Sequence, residues 1–196
     1  MDLIHKTTKL SIFTTLLTGL IMSQTVNADD DLQSLTQQSK VAIKQLGSAL
    51  KHTLTSTMKA KGPSAALEVC NIEAPIITTS VSTDQDIDVR RTSLKPRNSS
   101  NAPDSWERQI LASFEQQKNE GVDMSMLEHG AITVIDGEKI FRFMKAIPTQ
   151  AGCLACHGGT VKPDLKEKIS ALYPNDTATG FKEGDIRGAF TVKIKL

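Results

Sequence analysis

Net charge is the first thing this chain of 196 residues lacks, since 23 Lys and Arg face 22 Asp and Glu. Such a balance offers no basic footprint for nucleic acid or for an acidic membrane surface. Cysteine is scarce as well. Three residues, Cys70, Cys153 and Cys156, are an odd number, so a framework of structural disulfides would leave a sulfur over. No apolar run is long enough to anchor the chain in a bilayer: Leu10 to Met22 falls short of the roughly 18 to 20 residues that a crossing requires. Internal repeats and low-complexity tracts are absent, and so is any Ser/His/Asp or paired-carboxylate constellation that would point to an enzyme.

The short apolar run has a meaning of its own. Lys6 and Lys9 precede it, and Val26 and Ala28 supply small residues in "TVNADD" after it, the layout of a secretory signal peptide cleaved after Ala28. Residues 29–196 would then form the mature chain, 168 residues with 21 charges of each sign, a size that suits one domain. The expected location is the periplasm, with no membrane span left after cleavage.

Periodicity predicts helices first and strands later. Leu32, Leu35, Ala42, Leu46 and Ala49 recur at helical spacing, and Gly62-Pro63 is the expected stop. A second helix is expected over "PSAALEVCNIEAPII", with Leu67, Cys70, Ala74 and Ile77 on one face and a kink at Pro75. "DIDVRRTSL" alternates as a strand, and "DSWERQILASFEQQKNEG" opens on a capping pair, Asp104 and Glu107, before an apolar stripe. Asp136-Gly137 separates two alternating runs, the signature of a tight hairpin. A short helix over "DLKEKISALY" and a terminal strand over "DIRGAFTVKIK" complete an α+β pattern dominated by antiparallel strands.

The chemistry concentrates in "AGCLACHGG", where Cys153, Cys156 and His157 form a CxxCH motif. A thioredoxin-like redox pair would want parallel βαβ units, which the pattern lacks. Zinc would want a fourth ligand, or three plus water, and no second CxxC or HxxxH completes a set. Haem accounts for every position: two cysteines add across the vinyl groups of one porphyrin edge, and the adjacent histidine is delivered beneath the iron. Gly158 and Gly159 carry no side chain to crowd the ring. Covalent haem attachment in bacteria takes place outside the cytoplasm, in keeping with the leader. The expected cofactor is one haem c.

That leaves Cys70. As a small buried hydrophobe it would simply share the helix face of Leu67 and Ala74; as a thiolate it would be the sixth iron ligand. Other candidates for that position are His52, His129, Met124 and Met126, the last two flanking Ser125 in a loop-like stretch, with Met58 and Met144 reading as core or helix-face residues. His129, just before Gly130, reads as a turn residue.

Taken together, "ALEVCNIEAP", "RRTSLKPRNSSNAPDSWE", "CLACHG" and "LYPNDTATGFKEGDIRGAFTV" resemble a family of exported bacterial single-haem proteins with a PAS-like fold, found alone or as the sensor half of signalling proteins. The resemblance spans nearly the whole mature chain and departs at Ser99, where similar sequences tend to have proline. It implies that Cys153 and Cys156 attach the haem, that His157 is one axial ligand and Cys70 the other, and that a central antiparallel sheet is flanked by helices. The basic run Arg90, Arg91, Lys95 and Arg97 reads either as a solvated strand edge or as partners for haem propionates.

A sulfur anion on iron favours the ferric state, and two protein ligands leave no open coordination site. An electron carrier with a redox partner protein is therefore expected rather than an enzyme. The alternative is a sensor of redox state or diatomic gas that acts through a separate signalling protein.

Overall fold

The structure, a computed structural model, describes residues 28–196. The leader expected over residues 1–28 thus lies outside the described residues except for Ala28. Among the described residues no helix is long and apolar enough to cross a membrane.

Helix α1 spans Ala28–Glu68 and is followed by a π-helical turn, Val69–Glu73, and helix α2, Ala74–Gln85. The expected stop at Gly62-Pro63 is present as a kink: Gly62 leaves helical geometry at φ 80° and ψ 177°, and the second helical limb starts at once with Pro63 in its first turn, as expected, where a missing N–H costs nothing. Leu46 from the first limb and Ile77 from α2 pack against the same cluster, so the chain folds back at this kink. Pro75 directly follows the π-helical turn, with helical backbone at Glu73 and Ala74 before it, so it interrupts a continuing helix as expected. Cys70 therefore lies on the one wide turn between two regular helices.

Strands β1 (Asp88–Thr92), β2 (Glu128–Ile135), β3 (Glu138–Pro148) and β4 (Ile186–Lys195) form one antiparallel sheet in the order β1-β4-β3-β2. The β2–β3 hairpin closes on Asp136 and Gly137, both at positive φ (53° and 83°), as a two-residue turn matching strand twist demands. Helix α3 (Ser105–Asn119) lies between β1 and β2 in sequence and starts with the expected capping box, Asp104 and Glu107 each accepting from the other's backbone N–H. A one-turn helix α4 (Leu154–His157) and helix α5 (Pro163–Leu172) fill the crossover from β3 to β4.

Pleat alternation gives the sheet two apolar faces. Phe141, Phe143, Val89 and Val192 meet Ala42, Ile43 and Leu46 of α1 on one side. On the other, Met144, Ala146, Ile186 and Ala189 meet Leu111 and Phe114 of α3. Burial of side chains of this size contributes about 1.5–3 kcal/mol each relative to exposure. A smaller cluster of Leu67, Leu165 and Ile169 docks α5 against α1 just ahead of Cys70, with Cys156 packed on its margin.

The α3 side also carries a buried ionic network. Glu107, with no exposed surface, accepts two bonds from Nη2 of Arg90 (2.7 and 2.8 Å) and one from the Thr191 hydroxyl (2.9 Å), while Arg142 reaches Asp104 at 2.7 Å and Glu107 at 3.3 Å. Arg142 also stacks 4.2 Å above the Trp106 ring. Removing one member of such a network strands the others. Glu107→Ala is therefore expected to cost about 3–5 kcal/mol in urea unfolding with an unchanged m-value; a loss under about 1 kcal/mol would show that the network contributes little.

Asp104 adds an acid dependence. Burial alone would raise its carboxyl, but the Glu107 N–H and the Arg142 guanidinium outweigh it and hold the group below its ordinary value of 3.8. The folded pKa being the lower one, the stabilisation is complete above the ordinary carboxylate value and is lost as pH falls through the folded value. Stability measured between pH 6 and pH 2 is expected to fall less steeply in Asp104→Asn than in the parent.

Candidate functional site

The CxxCH motif is held by local backbone bonding. A 3-10 turn, Ala151–Cys153, runs into α4, so Cys153 and Cys156 stand three residues apart on one side of a continuous helical turn. α4 ends at Gly158, where a Cβ would lie 2.6 Å from the Leu154 carbonyl oxygen, so only glycine fits. Gly158 thus answers to its own helix, and nothing crowds Gly159. Beyond it the chain is tied to the segment before β4, with the Phe181 N–H donating to the His157 carbonyl (3.0 Å) and the Gly180 N–H to the Gly158 carbonyl (3.1 Å).

His157 is the best defined member. Its Nδ1 is 2.8 Å from the Ala178 carbonyl oxygen. A carbonyl only accepts, so Nδ1 carries the proton and Nε2 is left with its lone pair free. Burial, reinforced by Arg187 and Arg97, pushes the imidazole pKa down to about 3, so the ring is neutral at pH 7. Phe181 meets it edge-on with ring centroids 6.3 Å apart.

Cys70 faces the same site from the helical side. Burial raises its thiol pKa, and the charges that oppose this are Arg91, Arg97 and Arg187. Burial likewise raises the Cys156 thiol, against the opposing charge of Arg97. Tyr173, buried at the end of α5, is pushed up to about 12 by burial and then by Cys70. The three cysteines are half-buried, and no disulfide joins them. Among the described residues no group of three or more His, Cys, Asp or Glu is gathered as a metal site, so the set required for tetrahedral zinc is not assembled.

The basic run divides. Pleat alternation sends Arg90 to the α3 face and its partner Glu107, and Arg91 to the opposite face beside Cys70. Arg97 is buried and forms a two-point pair with Asp176, both contacts 3.2 Å. Lys95 donates to the Thr179 carbonyl at 2.6 Å and lies 4.8 Å above the Phe181 ring. A fifth cation, Arg187, stacks on Phe181 at 5.1 Å and donates to the Ser93 hydroxyl at 3.1 Å. Among the described residues neither Arg91 nor Arg187 forms an ion pair with a carboxylate, and the Arg91 Nε is buried without a hydrogen-bond partner.

Other candidates for a sixth ligand fall elsewhere. Met144 is fully buried in the α3-side cluster, Met124 packs against that cluster, and Met126 is exposed. His52 is exposed on α1. His129 is a β2 residue stacked against Trp106, not the turn residue expected. Met58 is half-buried on α1.

Sequence reasoning missed Arg187, Tyr173, Asp176 and Ala178. All four lie within "LYPNDTATGFKEGDIRGAFTV", three as polar or aromatic residues without motif spacing and Ala178 acting through its backbone, which no side-chain pattern discloses. A cleft of about 360 Å3, smaller than one elsewhere in the fold, borders this site and is lined by Gly158, Val161, Ile169, Tyr173 and Asp176. The larger, about 560 Å3, lies at the opposite end of the sheet beside Asp88, Asp136 and Lys195, away from the cysteines.

No curated protein matches the chain. Among solved structures, the crystal structure of the cyanobacterial heme-protein Tll0287 matches with a TM-score of 0.55 at 24 % identity, over 87 % of this chain and 97 % of that one. That likeness is one of fold. The model of the Tll0287-like family matches residues 22–195, and the chain belongs to that family.

Proposed function

We propose that the protein binds one haem c, attached through Cys153 and Cys156, with His157 and Cys70 as axial ligands, and that it serves a redox role in the periplasm. The observation that carries the reading is the protonation of His157: with Nδ1–H committed to Ala178, the free Nε2 lone pair is available to iron. Three further observations fit. Cys153 and Cys156 share one side of a helical turn, and Cys70 is buried among the same Arg91, Arg97 and Arg187 that act on His157, a thiol that ferric iron would hold deprotonated. Arg91, Arg97 and Arg187 together face one carboxylate, Asp176, leaving two positive charges for the two propionates of a haem. The orphaned Arg91 Nε is a donor that such a group satisfies. Membership of the Tll0287-like family, and a fold shared with a protein described as a heme-protein, support the same cofactor.

When bound, the haem supplies a one-electron couple. The chain's part is to fix His157 in one tautomer, to hold a sulfur opposite it, and to exclude water by the apolar packing of Leu67, Leu165 and Ile169 beside Cys156. Were His157 and Cys70 both to hold the iron, no open position would remain for a substrate, so electron exchange with a partner protein is the primary reading.

One observation favours a second reading, a redox or gas sensor. Cys70 sits on a π-helical turn between the Gly62 kink and Pro75, and single turns of this kind inside helices concentrate at functional sites. Release of the sulfur on reduction would then move α2 against a separate partner protein.

Protein matured in a host with a haem c assembly system is expected to gain the mass of one haem, retained after acid–acetone extraction and lost in the Cys153→Ala, Cys156→Ala double variant. Cys70→Ala is expected to keep the covalent haem and lose a thiolate-type low-spin ferric EPR signal. An unchanged signal would return Cys70 to the core. Carbon monoxide binding to the ferrous protein with loss of the sulfur ligand would decide for the sensor; electron exchange without any ligand change would decide for the carrier.

A further inference from the structure

Arg97 and Asp176 form a buried pair one bond removed from the iron-facing histidine. The Ala178 carbonyl that receives the His157 Nδ1–H at 2.8 Å also receives Nη2 of Arg97 at 3.2 Å. The same Nη2 donates to the Cys156 carbonyl at 2.7 Å. Asp176 completes the ring of contacts, as its Oδ1 accepts from the Ala178 N–H at 2.8 Å and from Arg97 Nε at 3.2 Å, while Oδ2 accepts from Nη2. One guanidinium thus touches the backbone of the second cysteine and the acceptor of the histidine, and one carboxylate bonds both the guanidinium and the N–H of the residue whose carbonyl is that acceptor.

Two donors on one carbonyl compete. The guanidinium draws density from the Ala178 oxygen and weakens its hold on the Nδ1 proton, so His157 remains a neutral imidazole rather than drifting toward imidazolate. Arg97 also places a positive charge near the site, which disfavours the ferric state. Both effects act in the same direction. Asp176 offsets them by neutralising the guanidinium.

From this geometry we infer that Arg97 and Asp176 are paired positioning residues that set the electron supply of His157 through the Ala178 carbonyl, Arg97 raising the midpoint potential of the bound haem and Asp176 lowering it. The inference rests on the haem reading above. It assigns the pair a role distinct from that of Arg91 and Arg187, whose guanidiniums have no carboxylate of their own.

The test is redox titration of the holoprotein and two variants, with pyridine haemochrome confirming covalent haem in each. Arg97→Gln removes the competing donor and the charge, and is expected to lower the midpoint potential. Asp176→Asn keeps an acceptor at Oδ1 and leaves Arg97 unneutralised, and is expected to raise it. Opposite signs are the signature, because loosening or hydrating the site would move both variants the same way. Shifts of equal sign, or no shift in either, would overturn the inference while leaving covalent haem intact. Should Arg97→Gln fail to fold, Asp176→Asn decides alone: a rise supports the role and the lack of one removes it. Parent protein without covalent haem would overturn both this inference and the reading on which it rests.

Discussion

The Ala178 carbonyl takes the Nδ1 proton of His157, and the candidate site is arranged around that bond. It selects one of two tautomers in a ring that burial keeps neutral, and the selected one presents a bare nitrogen. Parallel backbone contacts between Gly158 and Phe181 hold donor and acceptor segments in register, and Asp176 fixes the peptide N–H of Ala178 from the other side. A histidine after CxxC could rotate freely on a loose loop. Here the segment before β4 removes that freedom, so the motif is organised by residues about twenty positions downstream of it.

The second organising constraint is strand alternation in β1. Consecutive arginines point to opposite faces, Arg90 into the Glu107 network beneath α3 and Arg91 toward Cys70 beneath the folded-back helices. One short strand thus contributes a charge to the scaffold and a charge to the site. The ionic network beneath α3 is closed, with Glu107 accepting from Arg90, Arg142 and Thr191. The one around Cys70 is open, with more guanidinium than carboxylate. A protein that buries unbalanced positive charge needs an anion to share it, and a porphyrin with two carboxylates has that character.

Much of the fold was legible because it follows from local rules. The hairpin at Asp136-Gly137, the capping box at Asp104 and the terminal strand depend on neighbours in sequence, and each stands where periodicity put it. The break at Gly62, with helix resuming at Pro63, was legible in the same way, whereas the π-helical turn over Val69–Glu73 ahead of Pro75 has no side-chain pattern of its own. At the site, CxxCH announced itself through spacing alone. Arg187, Tyr173 and Asp176 did not, since they converge only once α5 docks on Leu67 and β4 pairs with β1. The tautomer-setting Ala178 was beyond reach, because its side chain plays no part.

The central claim is that one iron lies between the His157 Nε2 and the Cys70 sulfur. X-ray absorption at the iron edge of the ferric holoprotein tests it directly, because sulfur and nitrogen scatter differently in the first shell. The account predicts five nitrogen scatterers and one sulfur, with the sulfur absent in Cys70→Ala. A shell of six light atoms in the parent protein, or no iron after maturation in a competent host, would contradict it.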